Sequence, residues 1–190
     1  GAKFLGDLMG DPDVIAADMG GTTFKVAVIQ DGKLEYAREP MVDRFHYLAP
    51  KIEVVSIGAG GGSIISLDPQ TKVPSVGPRS AGARPGPICY GQGGEEPTLT
   101  DVMLLIGYMD PGQFLGGSIT LDREKTERLF REKIADPLGL SVMEAAIGIY
   151  QVASAQITDL IREITVLVHF TQHKIAPLQQ AVLAAHRMVI

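Results

Sequence analysis

The residues best suited to chemistry lie between two apolar runs. Val14-Ile15-Ala16-Ala17 and Phe24-Lys25-Val26-Ala27-Val28-Ile29 flank Asp18-Met19-Gly20-Gly21-Thr22-Thr23. An acid, two glycines and two hydroxyls at the tip of a strand pair can hold a phosphate. Glycine has no Cβ and takes positive φ readily, so the backbone N–H groups at Gly20 and Gly21 can approach an anion closely. Thr22 and Thr23 add hydroxyl donors, and Asp18 can hold Mg²⁺ directly or through water. A plain hairpin with a Gly-Gly turn explains the glycines but needs neither the acid nor the two hydroxyls, so phosphate binding is the expectation.

A second glycine run, Gly58-Ala59-Gly60-Gly61-Gly62-Ser63, is not a dinucleotide fingerprint. Ser63 stands at the third glycine position, and Ile64–Leu67 reads as strand rather than helix. Gly58, Gly60 and Gly61 read instead as a loop lining a cleft, or as a bulged hairpin. Asp101 falls at a helix start, where it either faces the cleft as a catalytic acid holding a metal-bound water or serves the helix dipole. Arg79 and Arg84 can grip a carboxylate or phosphate, although an isolated arginine more often makes a surface ion pair. Cys89 has no evident histidine partner and reads as a small buried residue. His169 and His173 share a helix face, but no third zinc ligand accompanies them.

These residues need elements to position them. Strands are expected at 14–19 and 24–30, with a third at Lys33–Glu39 after the Asp31-Gly32 turn, making a meander. Weak alternation marks 52–57, a strand stub 64–67 and a turn Asp68–Thr71. From Val73 to Pro97 glycine and proline dominate, and an ordered functional loop without regular structure is expected. Helices follow: one capped by Thr98-x-x-Asp101, one at Arg123–Ile134 with Asp122 as N-cap and a break at Asp136–Gly139, and a long one opened by Ser141-x-x-Glu144 and reaching about Val166. Leu178–Ile190, beyond Pro177, reads as a further apolar helix.

Composition narrows the class. The 190 residues carry a net charge of −5 and 45% apolar side chains with no tryptophan. This fits one lobe with an aliphatic core, and no basic stripe suggests nucleic acid. No apolar run reaches the roughly 18 residues of a membrane span. One cysteine excludes an internal disulfide, and a cytoplasmic, reducing compartment is the expectation. The chain opens on Gly-Ala rather than Met, which reads as a piece of a longer or processed protein.

Five motifs occur in order: Ala17–Thr23, Ser56–Ser63, Val76–Ala83, Pro85–Gly91 and Pro97–Val102. Together they resemble the hydantoinase A / oxoprolinase family, which includes N-methylhydantoinase, oxoprolinase and the ATP-dependent acetone and acetophenone carboxylases. The resemblance covers residues 1–166, with 167–190 a diverged or truncated helical tail. It implies an α/β fold: one lobe of an actin-like (RNase H-like) ATPase, with a mixed sheet, a β-meander start and C-terminal helices. Asp18–Thr23 is similar to the family's second phosphate loop. The implied cofactors are ATP and Mg²⁺, and the implied chemistry is cyclic amide hydrolysis or ketone carboxylation through a phosphorylated intermediate. The implied partners are a small-molecule substrate, a missing N-terminal lobe and a hydantoinase B-like subunit. Two departures stand out: Lys25 occupies a position that is often Asp in the family, and no glycine follows Gly148 to form the nucleoside-contacting segment. A non-catalytic scaffold or subunit-interface module, and an actin-fold kinase lobe, are the competing readings.

Overall fold

The opening apolar runs form the hairpin their pattern predicts. A computed structural model describes residues 1–37, 41–42, 44–46 and 49–167. After α1 (Ala2–Met9), β1 (Val14–Met19) and β2 (Phe24–Gln30) pair antiparallel, with Val14 opposite Ile29 and Met19 opposite Phe24. Strand alternation sorts their side chains. Phe24, Val26 and Val28 are buried on one face, while Asp18 and Lys25, opposite each other in register, belong to the other and are exposed.

The third strand of the meander is interrupted. β3 (Lys33–Leu34) pairs only the end of β2, and the chain leaves the sheet before returning as β6 (Val55–Ile57), which takes up the same edge of β2 nearer the turn. Between them lies a long excursion whose stem closes through Ala37 N–H to Lys51 O (2.8 Å) and Glu53 N–H to Glu35 O (2.9 Å). It carries a short pair, β4 (Met41–Val42) and β5 (Phe45–His46). The strand expected over Lys33–Glu39 therefore pairs with β2 for two residues only, and its last two residues lie outside those described.

A second sheet corrects the reading of the Gly/Pro-rich stretch. β7 (Ser63–Leu67) pairs antiparallel with β8 (Pro74–Ser80), so residues 73–97 are not wholly irregular. β8 is bonded along one edge only, where proline is tolerated. The other edge of β7 is met by Pro97 and Thr98, through Ile65 N–H to Pro97 O (2.8 Å) and a bridge from Ile64 to Thr98.

The helices follow their caps. Thr98 and Asp101 form the capping box of α2 (Leu99–Leu105), and Asp122 caps α3 (Arg123–Phe130). Pro137 does not break the chain's helical path. A π turn at Arg131–Ala135 delivers it into the first turn of α4 (Asp136–Leu138), where the missing N–H costs nothing, and Gly139 in the left-handed region ends the run. Ser141 and Glu144 then open α5 (Val142–Leu167): Ser141 N–H and Oγ–H donate to Glu144 Oε2 at 3.0 and 2.6 Å.

α5 ties the two sheets together. Ala145, Ala146, Ile149 and Ala153 pack with α2, α3, β7 and β8, whereas Ile157, Leu160, Ile161 and Ile164 cover Phe24, Val26 and Val28. Recurrence at three- and four-residue intervals makes one apolar stripe serve both clusters. Among the described residues no single helix is long and apolar enough to cross a membrane.

Truncating Ile157, fully buried at the junction with the hairpin, is expected to cost about 3 kcal/mol, whereas Ile147→Ala at a 44% exposed position costs under about 0.5 kcal/mol. Urea unfolding midpoints check both. The Ser141 hydrogen bonds hold the Glu144 carboxyl below its ordinary value. Its contribution is thus complete above the unfolded value and is lost as pH falls through the depressed folded one. Glu144→Gln should flatten that acid limb in melting curves taken against pH.

Candidate functional site

The turn between β1 and β2 rests directly on the second glycine loop. Gly61 N–H donates to Gly20 O (3.0 Å) and Gly62 N–H donates to Gly21 O (2.6 Å). Gly61 O in turn accepts from Thr100 N–H (2.7 Å) in the first turn of α2. Hairpin, glycine loop and helix start are therefore stacked backbone on backbone.

This contact needs glycine at Gly60. A Cβ there would lie 2.6 Å from Thr22 N and 2.7 Å from Gly20 O, both backbone atoms. Ser63 fixes the loop from below, since its buried Oγ accepts from Gly60 N–H (2.8 Å) and donates to Gly58 O (3.2 Å). In sequence Ser63 reads only as a missing glycine. Its signal was a lone hydroxyl closing a glycine run, and its work is to satisfy buried backbone groups.

The same contact sets the direction of the turn's free groups. In a planar trans peptide the N–H points opposite to the C=O. The Gly20 and Gly21 carbonyls face the second loop, so the N–H groups of Gly21 and Thr22, in those same two peptides, point away from it. Neither N–H has a hydrogen-bond partner among the described residues, nor do the Thr22 and Thr23 hydroxyls. The turn uses no positive φ at Gly20 or Gly21, which departs from the expectation above. Nothing lies within 4 Å of a Cβ at Gly21, and the nearest atom to one at Gly20 is 3.7 Å away.

A cavity of about 640 Å³ opens beside this stack. Gly20, Gly21, Thr22, Gly61 and Gly62 form part of its wall, with Tyr90, Met103, Met109 and Phe114 forming much of the rest. Gly58, Thr23 and Asp18 do not line it. Asp18 is exposed on the other face of the hairpin, in β1 just before the turn, with Lys25 opposite it in β2. Among the described residues no group of three or more His, Cys, Asp or Glu side chains could hold a metal ion.

Of the two roles open to Asp101, the structure gives it the structural one. The side chain is fully buried. Its Oδ2 accepts from Ile88 N–H (3.2 Å), Thr98 N–H (2.8 Å) and Thr98 Oγ–H (2.8 Å), and its Oδ1 from Cys89 N–H (2.8 Å). It faces the 3₁₀ turn at Ile88–Tyr90 and the cap of α2, not the cleft, because three backbone donors converge there. Burial pushes its carboxyl up while these donors pull it down, and burial prevails. Burial, with the Asp101 charge beside it, also pushes the Cys89 thiol up, so Cys89 is no thiolate nucleophile. Arg79 makes an exposed ion pair with Glu96 (3.1 Å), and Arg84 is exposed. His169 and His173 lie outside the described residues.

A mixed α/β lobe with a glycine turn stacked on a glycine loop is thus the class that fold and site define. The chain belongs to the hydantoinase/oxoprolinase family, whose model matches residues 1–177. The caprolactamase subunit alpha of Pseudomonas jessenii is 45% identical over 157 residues, 83% of this chain and 22% of the relative. The acetone carboxylase beta subunit of Xanthobacter autotrophicus is 40% identical over 163 residues, 85% of this chain and 23% of the relative. Among solved structures, nucleotide-free acetone carboxylase superposes with a TM-score of 0.79 at 38% identity, over 86% of this chain and 23% of that one. The ATP-dependent caprolactamase from Pseudomonas jessenii gives 0.74 at 43% identity, over 85% and 23%. The chain therefore spans less than a quarter of the length of these relatives.

Gly60→Ala is expected to cost about 2 kcal/mol by forcing two backbones apart. Asp101→Ala should cost about 3 kcal/mol or more by stranding three buried N–H groups. Both are read as shifts of the urea midpoint.

Proposed function

We propose that the Gly20–Thr23 turn is a phosphate-gripping element of an ATP site, in one lobe of an actin-like ATPase. One observation carries this reading: Gly21 and Thr22 present unpartnered N–H groups outward from a turn that has room for a Cβ and needs no unusual φ. The fold itself makes no demand for glycine at Gly20 or Gly21, so the demand comes from something that approaches from outside. The fixed, outward amides and the Thr22 and Thr23 hydroxyls suit phosphate oxygens.

Asp18 is the residue proposed to hold Mg²⁺. A single carboxylate suffices, because Mg²⁺ in nucleotide sites is completed by phosphate oxygens and water. ATP would supply the phosphoryl group that makes an amide or carbonyl oxygen reactive. The chain's own part is to hold the phosphates, with Gly61 and Gly62 fixing the turn from behind. Gly58 and Gly60 belong to that support, and Asp101 acts one layer further back, at the base of α2. The relatives include ATP-dependent caprolactamase, acetone carboxylase and 5-oxoprolinases, and cyclic amide hydrolysis or ketone carboxylation is the class of reaction proposed here. Several relatives are named as subunits. A second, hydantoinase B-like subunit and a further lobe are accordingly proposed to complete the enzyme.

Gly21→Ala separates this reading from a plain hairpin. The substitution meets no atom and should leave the melting temperature unchanged or slightly raised. Binding of ATP·Mg²⁺ or of tripolyphosphate, a probe that engages the turn without a nucleoside, should weaken at least tenfold in titration calorimetry. Asp18→Asn should lower the Mg²⁺ dependence of the same heat. Wild-type affinity in the Gly21→Ala variant, or no heat from the wild-type chain, would refute the assignment and leave the scaffold reading.

A further inference from the structure

We infer that Leu115–Ser118 is a lid, hinged at Gly116 and Gly117, that swings Leu115 across the cavity and shuts water out of the phosphate turn. What the lid covers rests on the phosphate-turn reading; its motion is argued from the loop itself. The loop is closed at its base. Leu121 N–H donates to Pro111 O (2.9 Å), and next to it Asp122 N–H donates to Cys89 O (2.8 Å). A compact surface loop with adjacent ends is an Ω-loop. Phe114 and Ile119 peg it down. Both pack on the cluster of Met103, Leu104, Met109 and Leu121, and the Phe114 ring centroid lies 5.4 Å from that of Tyr90. Between the pegs, Leu115, Gly116, Gly117 and Ser118 are all exposed. Their hydrogen bonds among the described residues stay inside the loop, where Ser118 N–H (3.4 Å) and Oγ–H (2.8 Å) donate to Leu115 O. A segment so exposed and bonded only to itself belongs to the readily opened part of a fold.

The backbone of this segment is strained. Leu115, Gly116 and Gly117 have φ of 49°, 67° and 82°. Even glycine visits the left-handed region as single residues rather than runs, and a leucine there carries a steric cost. Burial does not repay that cost: Leu115 borders the cavity yet is 67% exposed. The hinge has room to move. A Cβ at Gly116 would meet nothing within 4 Å, and one at Gly117 would meet only Gly112 O at 3.5 Å. Turning Leu115 out of the left-handed region releases the strain and lays an apolar side chain over an apolar cavity. An occupant anchored at the turn and running along the cavity packs against Leu115 in that closed arrangement only, which is the differential contact that closure requires. Phosphoryl transfer to a carbonyl oxygen competes with transfer to water, so excluding solvent protects the productive route.

The chain has no tryptophan, so Leu115→Trp places a single fluorophore on the lid. Without ligand its indole should be open to quenching by acrylamide. Saturating ATP·Mg²⁺ should lower that quenching at least threefold and shift the emission to the blue, with binding followed in parallel by calorimetry. A second arm needs no ligand. Gly116→Ala penalises the left-handed hinge and should move the same reporter toward the closed arrangement by roughly fivefold in the equilibrium. Gly117→Ala repeats the comparison at the other hinge residue should the first variant fail to fold. Heat from ATP·Mg²⁺ without protection of the indole overturns the lid. So does equal quenching with glycine and alanine at the hinge. Absence of heat from the wild-type chain refutes the phosphate reading in its own arm, and the ligand-free hinge comparison then decides the lid by itself.

Discussion

Two backbone hydrogen bonds between glycine loops organise this molecule. Gly61 to Gly20 and Gly62 to Gly21 draw the tip of the first hairpin onto the loop that feeds the second sheet. That spacing excludes any side chain at Gly60. Because the carbonyls of Gly20 and Gly21 are consumed inward, the Gly21 and Thr22 amides are left facing outward by peptide geometry alone, whereas the Gly20 N–H is spent within the turn on Thr23 O. The orientation of the proposed anion-binding donors is thus a by-product of how the two sheets are fastened. The fastening is itself held by Ser63 beneath and by Thr100 N–H at the start of α2.

The site has two differently furnished sides. Asp18 and Lys25 lie on the exposed face of the hairpin, whereas Gly20–Thr22 border a cavity without a charged wall. One exposed carboxylate thus stands just before the turn, on the face away from the apolar chamber. The buried Asp101 adds rigidity rather than chemistry, joining the 3₁₀ turn at Ile88–Tyr90 to the α2 cap.

Much of this was legible in the amino acids because local rules governed it. β1 and β2 have the bounds their apolar runs predict, and the boxes at Thr98/Asp101 and Ser141/Glu144 cap the helices they announce. The resemblance to the hydantoinase A / oxoprolinase family, read from five ordered motifs, agrees with the family match. Failures came where tertiary contact overrode local preference. β8 contains two prolines and a glycine yet forms a strand, because β7 offers it a partner on one edge. The third strand is split because the edge of β2 is shared between β3 and β6. Pro137 is accommodated by a π turn that no periodicity foretells. Asp101 was ambiguous in sequence, since a helix-start acid looks the same whether it faces a cleft or three buried amides. At Gly20 and Gly21 the glycines suggest positive φ in sequence, whereas the backbone of the turn uses none there.

The shared helix has a consequence for biosynthesis. Phe24, Val26 and Val28 are covered by Ile157, Leu160, Ile161 and Ile164, which lie roughly 130 residues further along the chain, a separation that slows folding. During translation the hairpin leaves the ribosome long before its cover exists, and its oily side stays uncovered through the making of the entire second sheet. The hairpin therefore cannot complete its core until α5 has been made.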